Sequence, residues 1–148
     1  MNLNNDFKEF IELLNANSVR YLVVGGYAVS FHGHPRYTKD IDIWIENEDA
    51  NADRILKSLD EFGFGSIGIE KEDLLLEDRI LQLGYPPCRI DLITSLLGVS
   101  FDDCHSDRST SEVDGTKVDF IGREALIANK LATARPQDIA DADHLSDK

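Results

Sequence analysis

Residues 21–45 read YLVVGGYAVSFHGHPRYTKDIDIWI, and this stretch restricts the possible folds more than any other in the chain. Tyr21, Leu22, Val23 and Val24 form an unbroken apolar run, the pattern of a short strand covered on both faces. The run ends on Gly25 and Gly26, and residues 27–31 have the length and composition of a short helix stopped near Gly33 and Pro35. A second strand, 41–45, then alternates. Successive side chains on a strand point to opposite faces, so Asp40, Asp42 and Trp44 share one face and Ile41, Ile43 and Ile45 take the other. Two carboxylates aimed the same way, opposite an apolar face, form a place for cations. Paired glycines where a strand gives way to a helix put backbone N–H groups where phosphate oxygens can meet them. Alone, Gly25 and Gly26 need be no more than a tight turn. Beside the two aspartates they point to divalent metal and phosphate together.

The remaining pattern is that of mixed elements around a small sheet. Phe7, Phe10, Ile11 and Leu14 recur at helical spacing after Asn5 or Asp6 as cap, and 52–62 is a second amphipathic helix stopped by Gly63. Residues 63–68 read as a loop or edge strand, 74–76 as a helical turn and 80–83 as a strand. Residues 89–93 form a better strand, with Arg89, Asp91 and Ile93 on one face. The polar segment 95–113 reads as a long loop. A final strand over 117–121 leads through Gly122 into a helix over 123–134, and after Pro136 one more short helix fits 137–145. These elements predict a single α/β (α+β) domain over 1–148, a small mixed β-sheet flanked by helices.

Charge and composition narrow the function. A formal net charge of −13 disfavours sequence-blind binding to nucleic acid, although Arg20, Arg36, Lys39, Arg89, Arg123, Lys130 and Arg135 could converge in space. No apolar run reaches the roughly 18 residues that cross a bilayer. The start, MNLNNDFKEF, lacks the basic and apolar regions of a signal peptide, so a cytoplasmic protein without membrane contact is expected. Cys88 and Cys104 have no zinc spacing and are expected as free thiols. His32 and His34 form an H-x-H pair without a recognisable third ligand.

The strongest chemical constellation is Asp40 and Asp42 on one strand with Asp91 on another. If those strands are neighbours, the three carboxylates converge on one spot. They would then suit a pair of Mg²⁺ ions about 4 Å apart, and without a cation they would raise one another's pKa values. Asp138 and Asp141 read as helix surface, Lys130 as a solvated or nucleotide-facing lysine, and Trp44 as a packed residue or a platform for a base.

The arrangement resembles the polymerase β-like nucleotidyltransferase superfamily: an apolar residue (Val24), Gly25-Gly26, about a dozen residues, Asp40-Ile41-Asp42, then a later acid, Asp91. The wording GGYAVSFHGHPRYTKDIDIWI is most similar to stand-alone bacterial minimal nucleotidyltransferases related to AbiEii-type toxins. The C-terminal segment, with Lys130, Arg135, Asp138 and Asp141, resembles the end of those proteins.

The resemblance implies Mg²⁺-dependent transfer of a nucleoside monophosphate from a nucleoside triphosphate to an acceptor hydroxyl. Asp40, Asp42 and Asp91 would be the catalytic and metal-binding residues, with two Mg²⁺ ions and Asp91 as candidate base. Gly25, Gly26, Arg36, Lys39 and Lys130 would meet the triphosphate. Many members carry serine where Gly26 stands, which leaves Ser30, a helical turn further on, as the nearby hydroxyl. The acceptor implied is tRNA or protein, if the chain is the toxin of a pair with a separate antitoxin. The alternatives are an antibiotic-like small molecule, or no acceptor at all in a degenerate member that only binds nucleotide or a partner. So short a chain leaves a partner or a homodimer to complete the site.

Overall fold

A computed structural model of the protein describes residues 2–35, 37–65, 68–84 and 88–146. The first helix, α1 (Asn5–Ala16), starts where the Asn4 side chain accepts from the Phe7 backbone N–H at 2.8 Å, and it buries Phe7, Phe10, Ile11 and Leu14. Strand β1 (Tyr21–Val24) is buried at every position, as its unbroken apolar run requires. Helix α2 (Gly25–Phe31) begins directly on Gly25, two residues earlier than the apolar pattern suggests. Strand β2 (Ile41–Ile45) follows, then α3 (Asp49–Phe62), closed by Gly63 in the left-handed conformation at φ 99°.

Helix α4 (Lys71–Leu75), β3 (Ile80–Leu83) and β4 (Ile90–Ile93) follow the expected order. The described part of the 63–68 segment is loop. Segment 95–113 is not the loop its polarity suggests. It holds α5 (Phe101–Ser106) and β5 (Ser109–Val113). Helix α5 fully buries only Cys104, and β5 is an outer strand whose Val113 alone is buried, so neither needs an apolar stripe. Strand β6 (Thr116–Phe120), α6 (Arg123–Thr133) and α7 (Pro136–Ser146) complete the order. Pro136 opens α7 rather than interrupting it, because proline's missing N–H and fixed φ suit the first helical position.

The sheet of the described residues runs β3-β4-β2-β1-β6-β5. Strands β1 and β2 are antiparallel, whereas β2 with β4 and β1 with β6 are parallel, so the sheet is mixed. Its apolar faces pack into one core that includes Phe10, Leu14, Leu22, Ile43, Ile45, Ile55, Leu92 and Phe120, all under 3% exposed. Each such side chain stabilises the fold by about 1.5–3 kcal/mol. Trp44 is part of this core, under Phe101 of α5 at a centroid distance of 5.1 Å, and is closed to a nucleotide base.

Candidate active site

Strand register decides where the acids stand. β2 and β4 lie side by side and parallel, with Asp42 directly opposite Asp91, and on the other side of β2 Asp42 faces Val24 at the end of β1. The condition set by the sequence, neighbouring strands with aligned faces, is met. Asp40 lies two residues before Asp42, at the entry to β2, and its Oδ1 accepts from the Arg89 backbone N–H at 3.0 Å.

The glycines are shaped to this face. Gly25 has φ +65°, and a Cβ there would collide with Asp42 Oδ2. A Cβ on Gly26 would sit 2.8 Å from Thr38 Oγ1, a buried hydroxyl without a hydrogen-bond partner among the described residues. Sequence reasoning missed Thr38, since nothing in its spacing marks it. Serine in place of Gly26 would meet the same obstruction.

The carboxylates are not equivalent. Burial, with Asp91 and Asp40 adding repulsion, pushes the Asp42 carboxyl up to about 6. Asp40 and Asp91 have a protein cation instead. Arg89 Nε lies 2.7 Å from Asp91 Oδ1, and Nη2 lies 3.1 Å from Asp91 Oδ2 and 3.2 Å from Asp40 Oδ2. At Asp42 burial outweighs the repulsion from the two other acids. Among the described residues no three His, Cys, Asp or Glu side chains are already gathered as metal ligands would be, and the arginine stands between two of these acids. The donor set nonetheless fits a hard divalent ion, because all three members are carboxylates and half-buried Asp42 has no counter-charge in contact among the described residues.

Asp42 opens on a cleft of about 580 Å³, lined also by Val24, Gly25, Gly26, Arg79, Ile93, Leu97, Asn129 and Lys130. Lys130 is only 7% exposed, and its Nζ lies 3.5 Å from Asp138 Oδ1 and 3.2 Å from Asp141 Oδ2. Asp138 and Asp141 are 1% and 0% exposed, not helix surface. They point inward because α7 packs on α6 after a one-residue left-handed turn at Ala134, which brings both acids to the lysine. Arg135 closes over Asp138 with Nε at 2.7 Å and holds that carboxyl well below the usual range.

Of the three acids only Asp42 lines this cleft; Asp40 and Asp91 do not, and neither do two other expected site residues. Ser30 lies at the far end of α2 and Lys39 is exposed on the loop entering β2; neither lines the cleft, because the helix carries Ser30 away from the glycine turn and Lys39 precedes the strand. Arg36 lies outside the described residues. His32 is buried with Nε2 2.7 Å from the Ile121 carbonyl oxygen, while His34 stacks on His144 at 3.9 Å, so the H-x-H pair is split between two partners.

Residues 2–145 match the family described as "Nucleotidyltransferase of unknown function (DUF6036)". The chain belongs to that family. As a nucleotidyltransferase by family, it is an enzyme of the phosphorus-transferring class.

No curated protein matches the sequence. Solved structures share the nucleotidyltransferase's fold at low identity. The lincosamide antibiotic adenylyltransferase LnuA, with lincomycin bound, superposes with a TM-score of 0.59 at 16% identity, covering 98% of this chain and 97% of its own. A putative nucleotidyltransferase from Thermotoga maritima gives 0.60 at 15%, covering 95% and 88%. An antigenic nucleotidyltransferase-like protein from Paracoccidioides brasiliensis gives 0.54 at 15%, covering 98% and 78%.

Among the described residues no helix is long and apolar enough to cross a membrane.

Proposed function

We propose that the protein transfers a nucleoside monophosphate from a nucleoside triphosphate to an acceptor hydroxyl at the face of Asp40, Asp42 and Asp91, with Mg²⁺ as cofactor. One observation supports the reading: Asp42, half-buried on β2 and raised to about 6, stands opposite Asp91 and lines a cleft that also holds Gly25, Gly26 and Lys130. A partly desolvated carboxylate left without a contacting counter-charge costs stability, and it is the arrangement expected where a bound cation completes the site.

When bound, divalent ions neutralise triphosphate oxygens and acidify the acceptor hydroxyl. The residues that would hold them are Asp42 and Asp91, with Asp40 at the strand entry. Gly25 and Gly26 let the triphosphate come close to the backbone at the Asp42 carboxylate. Lys130 lines the same cleft with its ammonium already held by Asp138 and Asp141, so the phosphate role falls to the backbone at Gly25 and Gly26 and to the bound ions. Asp91 takes the acceptor proton as the acceptor oxygen bonds to the α-phosphorus and the bond to the departing pyrophosphate breaks.

The lining supports one class of acceptor over another. Beside Asp42 the cleft presents Asp78, Arg79 and apolar Ile80, Ile93, Leu96 and Leu97, while Lys130 and Arg135 are already paired with Asp138. That surface suits a small cationic or apolar acceptor better than a phosphate backbone. The toxin reading, with tRNA or protein as acceptor and a separate antitoxin, rests on the motif resemblance alone.

Incubation with triphosphates labelled at the α-phosphate, Mg²⁺, aminated small molecules and total tRNA tests the proposal. Label transferred to a small molecule and absent with Asp42→Asn supports it. Label on tRNA alone would move the reading to the toxin class, and no label on any acceptor would leave a nucleotide-binding protein without catalysis.

A further inference from the structure

We propose that Arg89 is a built-in competitor of the divalent cation: its guanidinium clamps Asp91 and Asp40 together in the metal-free protein and has to leave before an ion can use both carboxylates. The proposal rests on the metal reading of this face and adds a residue which that reading does not use.

The geometry is that of a cation already in place. Arg89 and Asp91 are two apart, so their side chains project from the same face at the start of β4. Nε and Nη2 engage the two Asp91 oxygens at 2.7 and 3.1 Å, the parallel two-bond grip that makes arginine–carboxylate pairs specific. The same Nη2 reaches Asp40 Oδ2 at 3.2 Å, which makes one guanidinium the bridge between the acid of β4 and the acid just before β2. A metal ion needs those same oxygens. Asp42, the third acid, has no such contact.

Two details allow the arginine to yield. The Arg89 side chain is 25% exposed, so it can turn into solvent without crossing the core. Asp40 is also held by the Arg89 backbone N–H at 3.0 Å, so it keeps its place when the guanidinium departs. The strands themselves stay paired through backbone hydrogen bonds, with Ile41 N–H donating to the Arg89 carbonyl at 3.0 Å. Arg89 therefore lowers metal affinity while neutralising Asp91 and Asp40 whenever no ion is bound.

The test is Mn²⁺ binding followed by the loss of the free-ion paramagnetic resonance signal, with no nucleotide present. Arg89→Gln should bind Mn²⁺ about tenfold more tightly than wild type, since a charge-assisted hydrogen-bonded grip no longer has to be broken. Its metal-free melting temperature should be lower than wild type and should rise more on adding Mn²⁺. Arg89→Lys keeps one positive charge to support folding but cannot grip in two bonds, and should fall between the two. Equal or weaker Mn²⁺ binding by both variants, with binding still abolished by Asp42→Asn, would overturn the role of Arg89 and leave the metal face standing. Absence of Mn²⁺ binding by wild type and Arg89→Gln alike, at millimolar ion, would remove the metal face and this proposal with it.

Discussion

Replacing Asp42 by asparagine should make the metal-free protein more stable at neutral pH, against the usual direction for a half-buried polar site. The carboxyl is raised from 3.8 to about 6, chiefly by burial and then by Asp91 and Asp40. At 1.36 kcal/mol for each factor of ten, that rise corresponds to about 3 kcal/mol held against folding by the charged form. Partial solvent access and the imperfect match of an amide reduce the expected gain to about 1–3 kcal/mol. The sign follows from linkage. A group whose folded pKa lies above its unfolded value contributes stability fully below the unfolded value, and loses it as pH rises through the folded one. Wild type and Asp42→Asn should thus have similar stability near pH 4, and should diverge as pH climbs toward 6 and beyond, with the variant ahead. Urea unfolding with a chelator present, at steps from pH 4 to 8, measures the gap. Adding Mg²⁺ should narrow it by stabilising wild type alone. A variant less stable than wild type at pH 8 would refute the reasoning, because Asp42 would then be a satisfied structural carboxylate.

Further outcomes follow from the same contacts. Gly25→Ala should cost more than about 2 kcal/mol in chemical denaturation, since alanine is strained at φ +65° and its methyl group meets the Asp42 carboxylate. Gly26→Ala should cost about 1–2 kcal/mol through the Thr38 side chain, and Thr38→Ala should recover much of that loss in a double-mutant cycle; additive effects would place the strain elsewhere. Lys130→Met should destabilise the protein by about 3 kcal/mol, because buried Asp138 and Asp141 lose a shared cation. Unchanged unfolding midpoints would show those acids to be solvated.

The sequence made the core strands and most helices legible because their signals are periodic. Tyr21–Val24 and Ile41–Ile45 could be read from apolar continuity and alternation, and the placement of Asp42 opposite Asp91 needed only that β2 and β4 be neighbours. What escaped had no periodic signal. β5 is a polar strand at the sheet edge, where side chains meet water and hydrophobic alternation is not needed. Asp138 and Asp141 look like helix surface until Lys130 is known to face them, since a buried acid is intelligible only with its partner. Arg89 was visible as a charge two residues before Asp91, but only the side-chain geometry reveals that it also spans to Asp40.

The most direct test of the central claim is calorimetric titration of ATP, GTP, CTP and UTP into wild type and Asp42→Asn, each with and without Mg²⁺. The account predicts that at least one triphosphate binds wild type only with Mg²⁺, and that Asp42→Asn, still folded, loses that binding. Binding that ignores both the metal and the substitution, or no binding by any of the four, would contradict it.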